Sequence, residues 1–323
     1  MTERTQAEAV RIVDLDDVRR AAERIRPHVH ETPVLTARSL DARTGARLFF
    51  KCENLQRIGA FKIRGAMNAV LTLPEARRGV ASHSSGNHAA ALALAAATRG
   101  VPAYVVMPET TPRVKREAVA GYGAKVTYCA PTQGAREEAL ARVLAETGAT
   151  FVPPFDDERI IAGQGTAALE LCGQVPDLDA VLAPVGGGGL MSGTAVSVRS
   201  LRPLARLIGV EPERADDAYR SLRSGRIESA GDPDTIADGL RTTIGVRNFA
   251  HLRTLGVEVV TVTEEEIVTA MRVIWERMKL VVEPSGAVPL AALLAGRAAL
   301  AGRKVGVLLS GGNVDLDRLP WSA

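Results

Sequence analysis

Three cysteines are all that the 323 residues contain, and Cys52, Cys129 and Cys172 lie far apart. An odd, scattered set fits neither a disulfide framework nor a zinc-ligand spacing, so a reducing compartment is expected. Lysine is also scarce: only six of the 40 basic residues are lysines, which reads as coding bias. Neither sign of charge dominates, because 40 basic and 37 acidic residues leave a net +3. No polybasic run stands out, which argues against a nucleic-acid partner. Long hydrophobic runs are missing as well. The richest stretch, AALALAAATRGVPAYVVMP, is broken by Arg99, Gly100 and Pro102, short of the roughly 20 uninterrupted apolar residues of a membrane span. The opening MTERTQAEAVRIVDLDDVRR is charged and has no apolar core, so no signal peptide and a cytoplasmic location are expected. There is no long repeat and no low-complexity linker.

What is present is ordinary globular material, 46% hydrophobic and 24% charged, in a length that suits one large or two medium domains. From Val80 onward, short apolar runs alternate with helical patterns, the signature of an α/β fold with mainly parallel strands. VASHS, AYVVM, KVTYC and TFVPP read as strands, separated by helical stretches near 88–98, 112–120 and 134–146. A second series follows: a helix near 163–172, strand AVLAPV, a glycine loop, a helix from Leu190 and strand RLIGV. After an irregular stretch at 231–247 come strand VEVVTV, a helix over 264–278, another opening at Pro284, and strand KVGVLLS. RLFFKCE and a helix near Arg64 precede the whole. The expected architecture is two-lobed: a small domain, 78–155, inserted into a larger one formed by 1–77 and 156–323, with the active site in the cleft.

Five segments carry possible chemistry. Gly186, Gly187, Gly188 and Gly189 follow a strand and precede a helix, where glycine lets backbone approach a ligand and free N–H groups suit a phosphate. The alternative is a plain tight turn; neither a dinucleotide fingerprint nor a nucleotide P-loop can be read through them. Ser82 to His88 (SHSSGNH) opens another helix, and its hydroxyls, amide and imidazoles suit a carboxylate, or simply cap the helix. Lys62 lies in the small or apolar stretch GAFKIRG, where desolvation would lower its pKa and permit a Schiff base; a lysine snorkelling from a helix start is the alternative. LSGGN, 309–313, ends the last strand, on the side where open α/β sheets gather ligands. GVEP and the following ADD place Glu211 and Asp217 six residues apart, either a hard-cation site or a solvated acidic loop.

Taken together, FKIRGAMNAV, SSGNHA, IAGQGTAALEL, the tetraglycine, GVEP with ADD, TIADGL and SGGN occur in the order found in one family. The chain resembles, over nearly its whole length, the fold-type-II pyridoxal-phosphate enzymes of the threonine/serine dehydratase and serine racemase group. The resemblance implies a two-lobed tryptophan synthase β-like fold, a pyridoxal 5'-phosphate cofactor, a divalent cation (Mg²⁺, or Ca²⁺ or Mn²⁺), a small amino-acid substrate and a homodimer. It makes Lys62 the lysine that links to the cofactor, lays Phe61 against the ring, gives Asn87 to the ring hydroxyl and Ser310 to the ring nitrogen, and cradles the phosphate in Gly186 through Gly189. Ser84, Ser85, Asn87, His88 and Arg136 would hold the substrate carboxylate. Glu211, the Ala215 carbonyl and Asp217 match the metal ligands of racemase-like members.

The implied activity is β-elimination from L-threonine, L-serine or a 3-hydroxyaspartate, giving a 2-oxo acid and ammonia. The alternative is an amino-acid racemase, with Ser85 as a second acid/base opposite Lys62. A cysteine-synthase-like activity fits less well, since those relatives read Lys-Asp-Arg where this chain has Lys62-Ile63-Arg64. Three departures stand out. Ile58 stands where the family usually has a small residue and Ala90 where it often has a glutamine, and 13 residues follow Ser310, so the regulatory domain of biosynthetic threonine dehydratases is not expected.

Overall fold

A computed structural model describes residues 10–74, 77–84, 86–111 and 113–321. Its ten strands are β1 Val34–Leu35, β2 Arg47–Cys52, β3 Val80–His83, β4 Ala103–Pro108, β5 Lys125–Cys129, β6 Thr150–Phe151, β7 Ala180–Pro184, β8 Arg206–Pro212, β9 Glu258–Val262 and β10 Lys304–Leu309. They form two sheets, one of six strands in the order β1-β2-β10-β7-β8-β9 and one of four in the order β5-β4-β3-β6. Every pairing is parallel except β1 with β2. The four-stranded sheet is contiguous in sequence, whereas the six-stranded sheet takes strands from both sides of it.

The composition of the strands explains the layering. β7 is buried along its whole length, and β8 and β10 everywhere but their first residue, as expected for parallel strands covered by helices on both faces. The less buried edges are β1 and β9. β6 stops after two residues because Pro153 and Pro154 follow closely, and a proline cannot donate to a ladder. The strands fall where the apolar runs place them. The helix expected at 112–120 forms as Arg113–Gly121, and the one near Arg64 begins at Lys62. The helices Leu15–Ile25, Arg38–Thr44, Asp217–Ser224 and Val246–Thr254 are additional. Among the described residues, no helix is long and apolar enough to cross a membrane.

The Lys62–Thr72 helix is held by contacts that leave no room for side chains. A Cβ on Gly65 would lie 2.4 Å from Gln164 Nε2, and one on Gly163 would lie 2.6 Å from the Arg64 carbonyl. One further layer in, a Cβ on Gly193 would sit 2.4 Å from the Gly165 nitrogen. Three helices, Lys62–Thr72, Glu158–Gln174 and Gly189–Leu201, therefore pack backbone to backbone. The first carries Lys62 and the third begins in the tetraglycine, so this packing fixes two candidate site elements relative to each other.

A buried ion network clamps the same helix. Arg64, fully buried, donates from Nε and Nη2 to both oxygens of Glu53 at 2.7 and 2.9 Å, and from Nη1 and Nη2 to both oxygens of Glu170 at 2.6 and 2.8 Å. Lys51, also fully buried, donates to Glu170 at 2.6 Å and to the Thr32 carbonyl at 2.8 Å. Two cations thus face two carboxylates. Burial alone would push the Glu53 carboxyl up, but the Arg64 guanidinium and the Thr32 hydroxyl hold it below the usual range. Only arginine presents donors in a fork that can grip two carboxylates at once.

Candidate active site

Four of the five expected segments sit at carboxyl ends of strands, the side where open α/β sheets bind ligands. β7 runs into Gly186–Gly189, β10 into Ser310, β3 into the segment 84–88, and β8 ends at Glu211 and Pro212. Lys62 reaches the same place from its own helix. The Phe61 N–H donates to the Ser310 carbonyl at 3.0 Å, and Ala60 bridges to Gly311. These bonds tie the turn before Lys62 to the end of the central strand β10.

The Lys62 amine donates to the Pro154 carbonyl at 2.9 Å and lies 5.2 Å from the centre of the Phe61 ring. Burial lowers its pKa to about 8, against the opposing pull of the Glu283 carboxylate. A buried amine of that pKa is neutral often enough near pH 7 to act as a nucleophile or base.

The tetraglycine is a compressed cradle. Gly188 adopts φ 92°, a conformation costly for any other residue. A Cβ on Gly187 would fall 2.3 Å from the Phe155 ring, and one on Gly188 2.7 Å from Asn248 Cβ. Asn248 holds the loop from behind by donating to the Gly187 carbonyl at 2.8 Å. All four glycines are buried, and among the described residues no acceptor meets the N–H groups of Gly186, Gly187 or Gly188. Gly189, first in its helix, has no intrahelical acceptor either. Buried donors without partners at a helix N-terminus, next to a depressed lysine, fit a phosphate-bearing aldehyde such as pyridoxal phosphate.

Asn87 faces this centre from the start of the Asn87–Arg99 helix. Its Nδ2 donates to Glu283 Oε1 and its Oδ1 accepts from Asn313 Nδ2, both at 2.8 Å. His88 is 2% exposed, and its Nε2 lies 3.2 Å from the Val152 carbonyl. Burial, the Lys62 charge and His83 push its pKa down to about 3, outweighing that bond, so the ring is neutral. The Val152 carbonyl can only accept, so the one N–H of the neutral ring is on Nε2 and is spent there, which leaves the backbone N–H of His88 as its donor to any other group. Ser84 is half-buried, and its hydroxyl accepts from the Gly86 N–H at 3.3 Å. Ser85 lies outside the described residues. Arg136 is half-buried in the first turn of the Gln133–Thr147 helix. Its Nε has no acceptor among the described residues, and its charge helps lower the pKa of His83. The charge of Arg136 thus acts on His83, and those of Lys62 and His83 on His88.

Glu211, Ala215 and Asp217 are all nearly or fully buried. Glu211 accepts from the Ala218 and Tyr219 N–H groups at 3.1 and 2.8 Å, and Asp217 Oδ2 from Ile244 N–H at 2.7 Å. Asp217 Oδ1 is buried and has no hydrogen-bond partner among the described residues. Burial and the adjacent Asp217 raise Glu211 well above the carboxylate range, while burial brings Asp217 to about 6. No group of three or more His, Cys, Asp or Glu that could hold a metal occurs among the described residues. Two buried acids, one with an orphaned oxygen, nonetheless fit a hard cation completed by a carbonyl such as that of Ala215.

Four participants escaped the sequence reading. Glu283 stands at the start of the Pro284–Leu294 helix, where an acid reads simply as a partner of the helix dipole. Phe155 and Pro154 belong to a proline-rich turn, and Asn248 to an irregular stretch, with no local signal in either. Two of the three departures noted in the sequence fall in one place. Ile58 packs against the apolar cluster that contains Ala90, Ala93, Val105 and Met107. Ile58 also adopts φ 60°, unusual for a β-branched residue, while its carbonyl accepts from Asn313 at 2.7 Å.

Comparison with known proteins agrees with this geometry. Residues 25–311 match the family model described as pyridoxal-phosphate dependent enzyme. The chain is 51% identical over 309 residues to a beta-hydroxyaspartate dehydratase of Paracoccus denitrificans, covering 95% of this chain and 98% of that one. It is 48% identical over 305 residues to an L-threo-3-hydroxyaspartate ammonia-lyase of Saccharomyces cerevisiae, covering 94% of each. The crystal structure of serine racemase from Dictyostelium discoideum superposes with a TM-score of 0.90 at 48% identity, covering 94% of this chain and 99% of that one. With a shared fold, an extensive sequence match and a cradle suited to the cofactor's phosphate, this chain belongs to the fold-type-II pyridoxal-phosphate-dependent enzymes.

Proposed function

We propose that the protein is an ammonia-lyase acting on small hydroxy amino acids, L-threonine, L-serine or a 3-hydroxyaspartate, and releasing a 2-oxo acid and ammonia. The observation that carries this reading is the near full-length similarity to two enzymes named for hydroxyaspartate elimination. Lys62 would hold the cofactor, with Phe61 against its ring, Asn87 at the ring hydroxyl, Ser310 at the ring nitrogen and Gly186–Gly189 around the phosphate. When bound, the cofactor supplies an electron sink for the substrate α-carbon. The neutral Lys62 amine takes the α-proton. Ser84, Ser85, Asn87 and the N–H of His88, with Arg136, orient the substrate carboxylate at a helix N-terminus. The two sheets support reading a small lobe, 78–155, set into a large one of 1–77 and 156–323. A cytoplasmic homodimer is the expected form.

Racemisation is the second reading, favoured by the 48% identity to serine racemase. It needs an acid/base on each face of the substrate α-carbon, which assigns Ser85 to the face opposite Lys62. Parallel assays of 2-oxo acid and D-enantiomer from a panel of hydroxy amino acids separate the two. Elimination is expected to dominate, and Ser85→Ala to abolish any racemisation while L-elimination stays measurable. A wild-type enzyme forming mainly the D-enantiomer would overturn the lyase reading.

Glu211, Asp217 and the Ala215 carbonyl are further proposed to bind a divalent cation, Mg²⁺, Ca²⁺ or Mn²⁺. A ligand held only by the folded state, at 100 times its dissociation constant, adds about 2.7 kcal/mol. Chelation should therefore lower the melting temperature by several degrees, and excess Mg²⁺ should restore it. Identical melting curves with chelator and with Mg²⁺ would mean that the two acids are held by protons instead.

A further inference from the structure

Asn87 is held at both ends of its amide. A carboxylate can only accept, so Glu283 at 2.8 Å fixes Nδ2 on its side. Asn313 Nδ2 gives one hydrogen to the Ile58 carbonyl at 2.7 Å and the other to Asn87 Oδ1 at 2.8 Å. The amide therefore cannot turn over without losing both bonds, and the second hydrogen on Nδ2 is left for a ligand oxygen. Glu283 is 4% exposed, and its own N–H donates to the Gly311 carbonyl at 3.0 Å, which pins it to the loop after β10. Asn87 comes from the segment after β3, whereas Glu283, Asn313 and Ile58 come from elements around the six-stranded sheet. The bonds thus cross between the two sheets at the site.

We propose that Glu283 is a positioning residue of the active site: it holds the Asn87 amide as a donor toward the cofactor's ring oxygen, and its negative charge favours the protonated form of the Lys62 nitrogen over what burial alone would allow. The proposal rests on Lys62 being the residue that carries the cofactor. Among the described residues, the charge that acts on the Lys62 amine is that of Glu283, at the start of the Pro284–Leu294 helix, and the imidazole that feels the Lys62 charge in turn is His88, on the Asn87–Arg99 helix. His88 is neutral, so Glu283 sets the sign of the field. From the 154–156 turn the amine receives a carbonyl, that of Pro154, while the Asp156 carboxylate is turned onto the N–H groups of Arg247 and Asn248. A negative charge close to a buried nitrogen favours its protonated form; removing the charge lowers the pH at which the proton leaves.

The test is a pH titration of the visible absorbance of the holoenzyme, wild type against Glu283→Gln. Glutamine keeps an oxygen to accept from Asn87 and loses the charge. The expected result is a midpoint about one pH unit lower, a tenfold smaller ratio of protonated to unprotonated form at fixed pH, with Glu283→Asp staying close to wild type. Equal midpoints for wild type and Glu283→Gln overturn the proposal. Should Glu283→Gln fail to load cofactor, competitive acetylation of the apoprotein reads the Lys62 pKa directly, and the same downward shift is required. Borohydride reduction of the wild-type sample keeps the two readings apart. An adduct on another lysine rejects the role of Lys62, whereas an adduct on Lys62 with an unchanged midpoint rejects only the role of Glu283.

Discussion

Lys62→Ala is expected to abolish turnover of every substrate, with kcat falling by roughly 10⁵-fold or more, the scale of losing a group that acts both as covalent anchor and as base. The stability cost should be small. The substitution removes one amine bonded to the Pro154 carbonyl at 2.9 Å, a contact worth about 1 kcal/mol, and it relieves the burial that depresses the amine to about 8. Ammonia release and thermal melting, measured on the same preparation, separate chemistry from folding. A variant that melts like wild type and still turns over within tenfold of it would remove Lys62 from the mechanism.

The largest effect on stability is expected at Arg64. Its guanidinium makes four bonds of 2.6 to 2.9 Å to Glu53 and Glu170, at a site with no solvent exposure. Arg64→Ala strands Glu53, which is itself fully buried. Removing one partner of a buried ion pair costs about 3–5 kcal/mol, whereas replacing the whole group with apolar residues is often nearly neutral. A network of this kind is therefore weak evidence for stability as such. Its value here is positional, because Arg64 lies two residues beyond Lys62 in the same helix. Denaturant unfolding should show the loss, and Arg64→Lys should recover little of it, since an ammonium cannot reproduce the bidentate fork. The Glu53 carboxyl is held below its ordinary value of 4.5. The stability it lends is complete above that ordinary value and is lost as pH falls through the lower folded value. A change under about 1 kcal/mol for Arg64→Ala would show that the four bonds merely offset the cost of burying the charges.

Much of the fold was legible in the sequence because parallel strands buried on both faces are continuous apolar runs. VASHS, AYVVM and KVGVLLS could be assigned from composition alone. What was hidden depends on long-range contacts. The β1 strand is two residues long and exists through its antiparallel pairing with β2. The Leu15–Ile25 helix has a capping box between Asp14 and Asp17, a signal present in the sequence but passed over in a charged N-terminal stretch. Site residues in strand-end motifs, such as the tetraglycine and the Ser82–His88 segment, could be found because glycine and small hydroxyls have few other reasons to cluster there. Glu283, Asn248 and Phe155 could not, because each acts through a partner distant in sequence: Asn87, Gly187 and again Gly187. His88 shows the opposite case, a residue whose motif was plain while burial and the Val152 carbonyl decided its charge state.

The account stands or falls on which lysine carries the cofactor. Reducing the holoenzyme with borohydride, digesting it and mapping the modified peptide gives the answer among six lysines. The adduct is expected on Lys62 alone, in the peptide that contains Phe61 and Ile63. An adduct on Lys51, Lys115, Lys125, Lys279 or Lys304, with Lys62 unmodified, would contradict it.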